Sequence, residues 1–335
     1  MNAAPMRRCL LPVLALASGL AACSAQNFAG AGYAPQLPMQ SYKVPRTPAE
    51  VFTTNDNPSQ PSVLGFKVSA NGDVKPKTII AGSNTMLTYP SALAIDADLS
   101  LYVTNNSYDR YQENILVFAS GSNGNVSPSR VIGGSNTKLV DVGGLAVDAS
   151  GYLWASDYYT QAITAYAPGA NGNVSPTYDI SGSNTELDGP DGIAFDQEGR
   201  LYVADFDANS VLIFAKGANG NVAPTATISG SNTGLSDPVS VAIDTDGRAI
   251  VSNQVGNVLV FAAGASGNAA PVQTITSVWA HGVTTDSTND IWVANTHNSG
   301  AIDEFTSTAN GDATPLRVIK GHKTKLSDPV DLVLN

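Results

Sequence analysis

Few side chains in this 335-residue chain could carry acid–base or metal chemistry. His281 and His297 are two of only three histidines. With Asp191 they form the candidate catalytic set, since an imidazole pair beside a carboxylate can supply a general base or metal ligands. A zinc site would need one further ligand, so that Asp191 or Asp205 would have to reach across to the histidines. Five aspartates, Asp96, Asp148, Asp196, Asp244 and Asp286, look like a metal array when written out. Their regular recurrence argues otherwise, because a short carboxylate at one place in every repeat serves a turn by accepting its N–H groups. The same holds for Asn105, Asp157, Asp205, Asn253 and Asn295. Asp244-Thr245-Asp246-Gly247 lacks the downstream glutamate of a calcium loop. No nucleophile elbow, zinc-protease helix, phosphate-binding loop or dinucleotide fingerprint is present. No metal-ligand set is complete, and a divalent metal would be called for only if the chain is an enzyme.

A second group of side chains suits recognition rather than catalysis. Tyr108, Asp109, Arg110 and Tyr111 lie together, Tyr158 and Tyr159 form a pair, and Trp279 sits two residues before His281. Aromatic rings beside Arg and Asp can stack on a sugar or on a partner's side chains. Trp154 and Trp292 share a repeat position with Tyr102 and Tyr202 and belong to the core. So do Phe66, Phe118, Phe214, Phe261 and Phe305.

These residues are positioned by a repeat. A proline recurs at 76, 128, 176, 224, 271 and 315, at spacings of 52, 48, 48, 47 and 44 residues. One clean unit reads Gly192–Asp196, Leu201–Asp205, Val211–Ala215 and Thr225–Ile228: four short apolar strands separated by Gly, Asn and Asp turns. Four strands in a period of 40–50 residues, repeated six times, predict an all-β, six-bladed β-propeller with four antiparallel strands per blade. The chain ends support closure. Val51–Asn55 and Val63–Phe66 match second and third strands, and Leu332–Asn335 matches an innermost one. The C-terminal strand should therefore complete the N-terminal blade.

Pro190-Asp191-Gly192-Ile193-Ala194-Phe195-Asp196 and Gly199-Arg200-Leu201-Tyr202-Val203-Ala204-Asp205 resemble the NHL repeat. The likeness runs loosely over residues 50–335, and Val142-Gly143-Gly144 lacks the proline. The resemblance implies that the Gly-Ser-Asn-Thr loops and the residues beside Pro190 surround an upper channel mouth, with the Asn-Gly-Asn loops below. Similar six-bladed families include gluconolactonases, paraoxonases and virginiamycin B lyase, which place a divalent metal at the channel. The resemblance thus offers a metal-dependent hydrolase or lyase, with Asp191, His281 and His297 as its residues. Glu113, Glu186, Glu198 and Glu304 fall in no obvious channel position.

Departures from the repeat mark where function could sit. Ile228 to Pro238 spans ten residues, but Ile275 to Ala280 only five; Trp279 and His281 sit at that deletion. Asn105 to Ile115 carries an insertion that holds Tyr108–Tyr111.

Residues 1–22 stand apart, with Arg7 and Arg8 before a short apolar run that ends Leu20-Ala21-Ala22-Cys23. This resembles a bacterial lipobox, which implies cleavage before Cys23 and its lipidation. With Ser24 rather than Asp in the next position, the same resemblance implies the outer membrane. Residues 23–48 read as a flexible tether and 49–335 as the propeller. Only two cysteines exist, Cys9 and Cys23, so the mature domain has no thiol for disulfides or catalysis. Without the two signal arginines it holds 15 basic and 28 acidic residues, a net charge of −13, which disfavours nucleic acid. The sequence favours a monomeric, non-catalytic module presenting its upper loops to an envelope protein, peptide or glycan. It touches the membrane only through its lipid.

Overall fold

The computed structural model describes residues 49–57, 59–106, 113–254, 256–296 and 300–335. Among these residues, twenty-four strands form six four-stranded antiparallel sheets. The first three are β1 (Glu50–Asn55), β2 (Ser62–Lys67) and β3 (Thr78–Ala81). Blade 1 follows with β4 (Tyr89–Ile95), β5 (Leu101–Asn106), β6 (Asn114–Phe118) and β7 (Arg130–Gly133). Blade 2 contains β8 (Val142–Val147), β9 (Leu153–Asp157), β10 (Ala162–Tyr166) and β11 (Tyr178–Ser181). Blade 3 contains β12 (Pro190–Phe195), β13 (Leu201–Asp205), β14 (Ser210–Phe214) and β15 (Ala226–Ile228). Blade 4 contains β16 (Pro238–Ile243), β17 (Ala249–Asn253), β18 (Asn257–Phe261) and β19 (Gln273–Thr276). Blade 5 contains β20 (Ala280–Thr285), β21 (Ile291–Asn295), β22 (Ala301–Phe305) and β23 (Arg317–Ile319). The last strand, β24 (Pro329–Leu334), joins β1, β2 and β3 as blade 6.

Closure is therefore made by the C-terminus. Leu332 faces Thr53, Val333 faces Phe52 and Leu334 faces Val51. Asn335 extends the pairing, accepting at Oδ1 from the Ala49 and Glu50 amides at 3.0 and 2.8 Å. The strand starts earlier than Leu332, at Pro329, so that it carries Asp331 into the ring interior.

The innermost strands β4, β8, β12, β16, β20 and β24 each lie beside the next around the ring. On blades 2, 3 and 5 they leave no room for a Cβ at one position, the glycine Gly144, Gly192 or Gly282. A Cβ on Gly192 would come within 2.5 Å of the Ser240 Cα, and one on Gly282 within 2.6 Å of the Asp331 Cα. That is the physical reason for the glycine of the repeated motif. Outward from this ring, each apolar cluster is shared by two neighbouring blades. Trp292 and Ile302 of blade 5, for example, pack with Leu64, Phe66 and Leu332 of blade 6.

The repeated polar residues hold blades together. The Asp96 amide donates to the Ser100 carbonyl at 3.1 Å while its Oδ1 accepts from the Asp98 and Ser100 amides, and the Asp148, Asp244 and Asp286 turns follow the same plan. Asn105, Asp157, Asp205, Asn253 and Asn55 accept from the loop before their own innermost strand. The first Asn of each Asn-Gly-Asn loop accepts from the outer strand of the preceding blade, as Asn171 does from Val131 at 3.0 Å. The second accepts from a Gly-Ser-Asn-Thr loop, as Asn173 does from Asn136 at 2.7 Å. Within that loop the buried Thr137 hydroxyl donates to the Gly134 carbonyl at 2.6 Å. The Gly-Ser-Asn-Thr loops are thus committed to blade-to-blade ties rather than offered as adaptable hydrogen-bonding surface. Blade 4 lacks this loop, so the tie that Asp312 would receive there is not made, although Thr274 still donates to Asn310.

Candidate functional site at the channel mouth

The six innermost strands line an axial cavity of about 310 Å³. Reading each strand from its N-terminal end, the first wall layer is Ser91, Gly143, Asp191, Val239, His281 and Val330. The second is Ala92, Gly144, Gly192, Ser240, Gly282 and Asp331. Deeper layers are aliphatic, alanine or threonine, with Phe195 on blade 3. Among the described residues Asp191, His281 and Asp331 are the only ionisable groups in the wall, and all three lie in its top two layers.

Their surroundings differ. Asp331 accepts at Oδ2 from the Leu93 amide of blade 1 at 2.7 Å and at Oδ1 from its neighbour Leu332 at 2.8 Å. Burial pushes its carboxyl up to about 6 against the pull of these bonds. Asp191 stands on blade 3, opposite blade 6. Its carboxylate presses on Gly143, where a Cβ would lie 2.5 Å from Oδ1, and it receives no hydrogen bond among the described residues. Burial, then the charges of Asp331 and Asp141, push it up to about 8. His281 is held below the ordinary imidazole range by burial, opposed by the Asp328 charge and a hydrogen bond to the Val330 main chain. At neutral pH the mouth therefore holds a protonated Asp191, an ionised Asp331 and a neutral His281.

A second ring lies just outside, formed by the residue before each strand's conserved position: Tyr89, Asp141, Gly189, Asp237, Trp279 and Asp328 for blades 1 to 6. Acids occupy alternate blades. Trp279 is 52% exposed. Beside Asp328, Asp56 carries a buried Oδ1 without a partner, and burial and the Asp328 charge raise its carboxyl.

The structure brings together only part of the set suggested by the sequence. Asp191 and His281 share the channel wall. His297, Tyr108, Arg110, Tyr111 and the lipidation candidate Cys23 lie outside the described residues. Asp205 is not a channel residue: it is fully buried and accepts the Asp188 amide at 3.0 Å. Tyr158 donates its hydroxyl to Asp207 at 2.8 Å and packs edge-on to Phe206, while Tyr159 is 69% exposed. These two rings mark the upper edge between blades 2 and 3. Asp331 escapes the sequence pattern because the innermost-strand match begins at Leu332, whereas the strand begins at Pro329. Aligning Pro329-Val330-Asp331-Leu332 on Pro190-Asp191-Gly192-Ile193 would have found it, as an acid in place of glycine.

The channel groups do not form a compact metal cage. Among the described residues, only Asp286, Asp290 and Glu304 place ligand atoms within 4.8 Å of one another, and they lie at the other end of blade 5. There Glu304 already pairs with Arg317. Asp290 occupies the position of Arg200 and Arg248, whose Nε atoms each donate at 2.6 Å to the turn aspartate of blades 3 and 4. The crowded carboxylates raise Glu304 after burial has done so first. Asp290→Arg should therefore stabilise the fold by about 1 kcal/mol, measured as a higher midpoint in urea with an unchanged slope.

A family model for the NHL repeat matches residues 187–214, the stretch that carries Asp191. The chain is thus a six-bladed β-propeller with an NHL repeat in blade 3. Among solved structures it is similar to the periplasmic gluconolactonase of Pseudomonas aeruginosa, with 14% identity over 85% of this chain and 98% of that one and a TM-score of 0.59. It is also similar to the WD40 propeller domain of Doa1 (12% identity, 82% and 79% covered, TM-score 0.53). A streptogramin B lyase aligns at 13% identity over 70% of each chain with a TM-score of 0.50. At such identities the likeness is one of fold. A search of curated protein sequences finds no match.

Proposed function

We propose that this chain is an exported, monomeric binding propeller, anchored to the outer membrane through lipid on Cys23, that receives its ligand at the upper channel mouth. One observation carries the reading. Every ionisable side chain of the channel wall sits at that mouth, whereas the other repeated polar groups are consumed by turns and blade ties. A wall that needs only packing has no use for Asp191, which is raised by burial and lacks a donor. The loops around it, with Tyr158, Tyr159 and Trp279, supply aromatic surface for an envelope protein, peptide or glycan. Pull-down from envelope extract with wild type and an Asp191→Asn/His281→Ala double variant tests this. Loss of the captured component in the variant supports it, and an unchanged catch rejects it.

A hydrolase or lyase remains the second reading, favoured by a protonated Asp191 and a neutral His281 in one cavity, an acid and a base at the same pH. The described wall residues do not form a compact divalent-metal site, and proton transfer is the chemistry they offer. Lactone hydrolysis by wild type, lost in both single variants, would establish it.

A further inference from the structure

Once Asp191 is ionised, the mouth is rich in acceptors and short of donors. Asp191 has no donor among the described residues, and Asp56 Oδ1 is buried without one. Asp141, Asp237 and Asp328 stand on alternate blades just above. An acceptor buried without a partner, as Asp56 Oδ1 is, costs free energy that a ligand's N–H group can recover. What is missing is therefore a donor, and the surrounding charge asks that it be positive.

Two features decide what kind of cation. Among the described residues no three His, Cys, Asp or Glu ligand atoms of the channel lie within 4.8 Å of one another, so these carboxylates surround an opening instead of converging. A bare divalent ion needs such convergence, while an ammonium on an organic chain can place its donors on separate acceptors. Aromatic surface also flanks the acids: Trp279 on blade 5 is half exposed, and Tyr89 holds the same position on blade 1, with Asp328 of blade 6 between them. A ring face beside carboxylates attracts an organic cation and gives a metal ion nothing.

Resting on the channel-mouth reading above, we infer that the ligand enters with a primary ammonium group, directed between Asp191 and Asp331 and flanked by Trp279. The ammonium comes either from a free amine or from a lysine side chain of a peptide.

The test is a titration of the mature protein at pH 8.5, where Asp191 is mostly ionised, followed by calorimetry and by Trp279 fluorescence. The probes are cadaverine for a free amine, Nα-acetyl-lysine amide for a peptide lysine, neutral 1-pentanol, and magnesium or calcium chloride. Saturable binding of either amine, with no binding of pentanol, is expected. Affinity should fall at least tenfold in Asp191→Asn and stay unchanged in Asp290→Asn, at the far end of blade 5. Preference between the two amines identifies the source. Binding of the divalent ions but neither amine, lost in Asp191→Asn, would overturn the ammonium assignment and leave the channel-mouth site standing. Amine binding unaffected by Asp191→Asn would overturn both. Failure of every probe, while Asp191→Asn still abolishes capture from extract, would overturn the ammonium assignment alone.

Discussion

Asp191→Asn is expected to stabilise the propeller at pH 8–9 while abolishing ligand capture. In the folded protein the Asp191 carboxyl is pushed up to about 8, whereas in the unfolded chain it titrates near the ordinary value of about 3.9. Between those values the unfolded state has released a proton that the folded state keeps. Wild-type stability therefore falls as pH rises from about 4 to 8. Asparagine has no proton to lose, so the advantage of the variant is absent near pH 4, grows through that window and levels off above it. At about 1.4 kcal/mol per pH unit the full shift would exceed 5 kcal/mol. Water reaching the open mouth screens much of this, and about 2 kcal/mol is the expected plateau. Urea unfolding at pH 4, 6 and 8.5 would show the trend. A pH-independent difference, or a loss of stability at pH 8.5, would mean that Asp191 is an ordinary wall residue. The combination of a gain in stability with a loss of binding is what a site held in strain for a ligand should give.

Removing Pro329–Asn335 should have the larger effect, because it takes away an entire innermost strand. Blade 6 would lose the pairing of Leu332 with Thr53 and of Val333 with Phe52. The unpaired edge of β1 would then face the channel. The truncated chain is expected to show no cooperative unfolding transition and to associate. A peptide of residues 327–335 added in trans should restore the transition by strand addition. A milder form is Leu332→Ala, where a side chain 3% exposed among Val51, Leu64 and Trp292 is truncated. That change should cost about 3 kcal/mol. A truncated protein that unfolds like wild type would contradict closure by the C-terminus.

The blade plan was open to reading from sequence because it is written six times. The proline spacing, the turn aspartates and the four short strands each recur, and β1, β2 and β24 fall where the leftover pieces of blade 6 require. The polar ladders were also legible as maintenance, and Asp148 and Asp157 behave accordingly. The site was legible only in part. Asp191 and His281 stand out as breaks in a pattern, but a linear sequence does not show that β12 and β24 face each other across the ring. The Asp191–Asp331 relation therefore appears only once the chain closes. The Gly-Ser-Asn-Thr loops misled in the opposite direction, since their polar composition suggests an open surface. Asn173 and its counterparts in fact occupy their amides. What determines this is contact between blades some 40 residues apart, which no local pattern encodes.

The electrostatic unity of the mouth is most directly tested by ¹³C NMR titration of the Asp191 side-chain carboxyl, in wild type and in Asp331→Asn. A midpoint near 8 in wild type, moving down once the Asp331 charge is removed, is the predicted result. A midpoint near 4 that ignores Asp331 would contradict it.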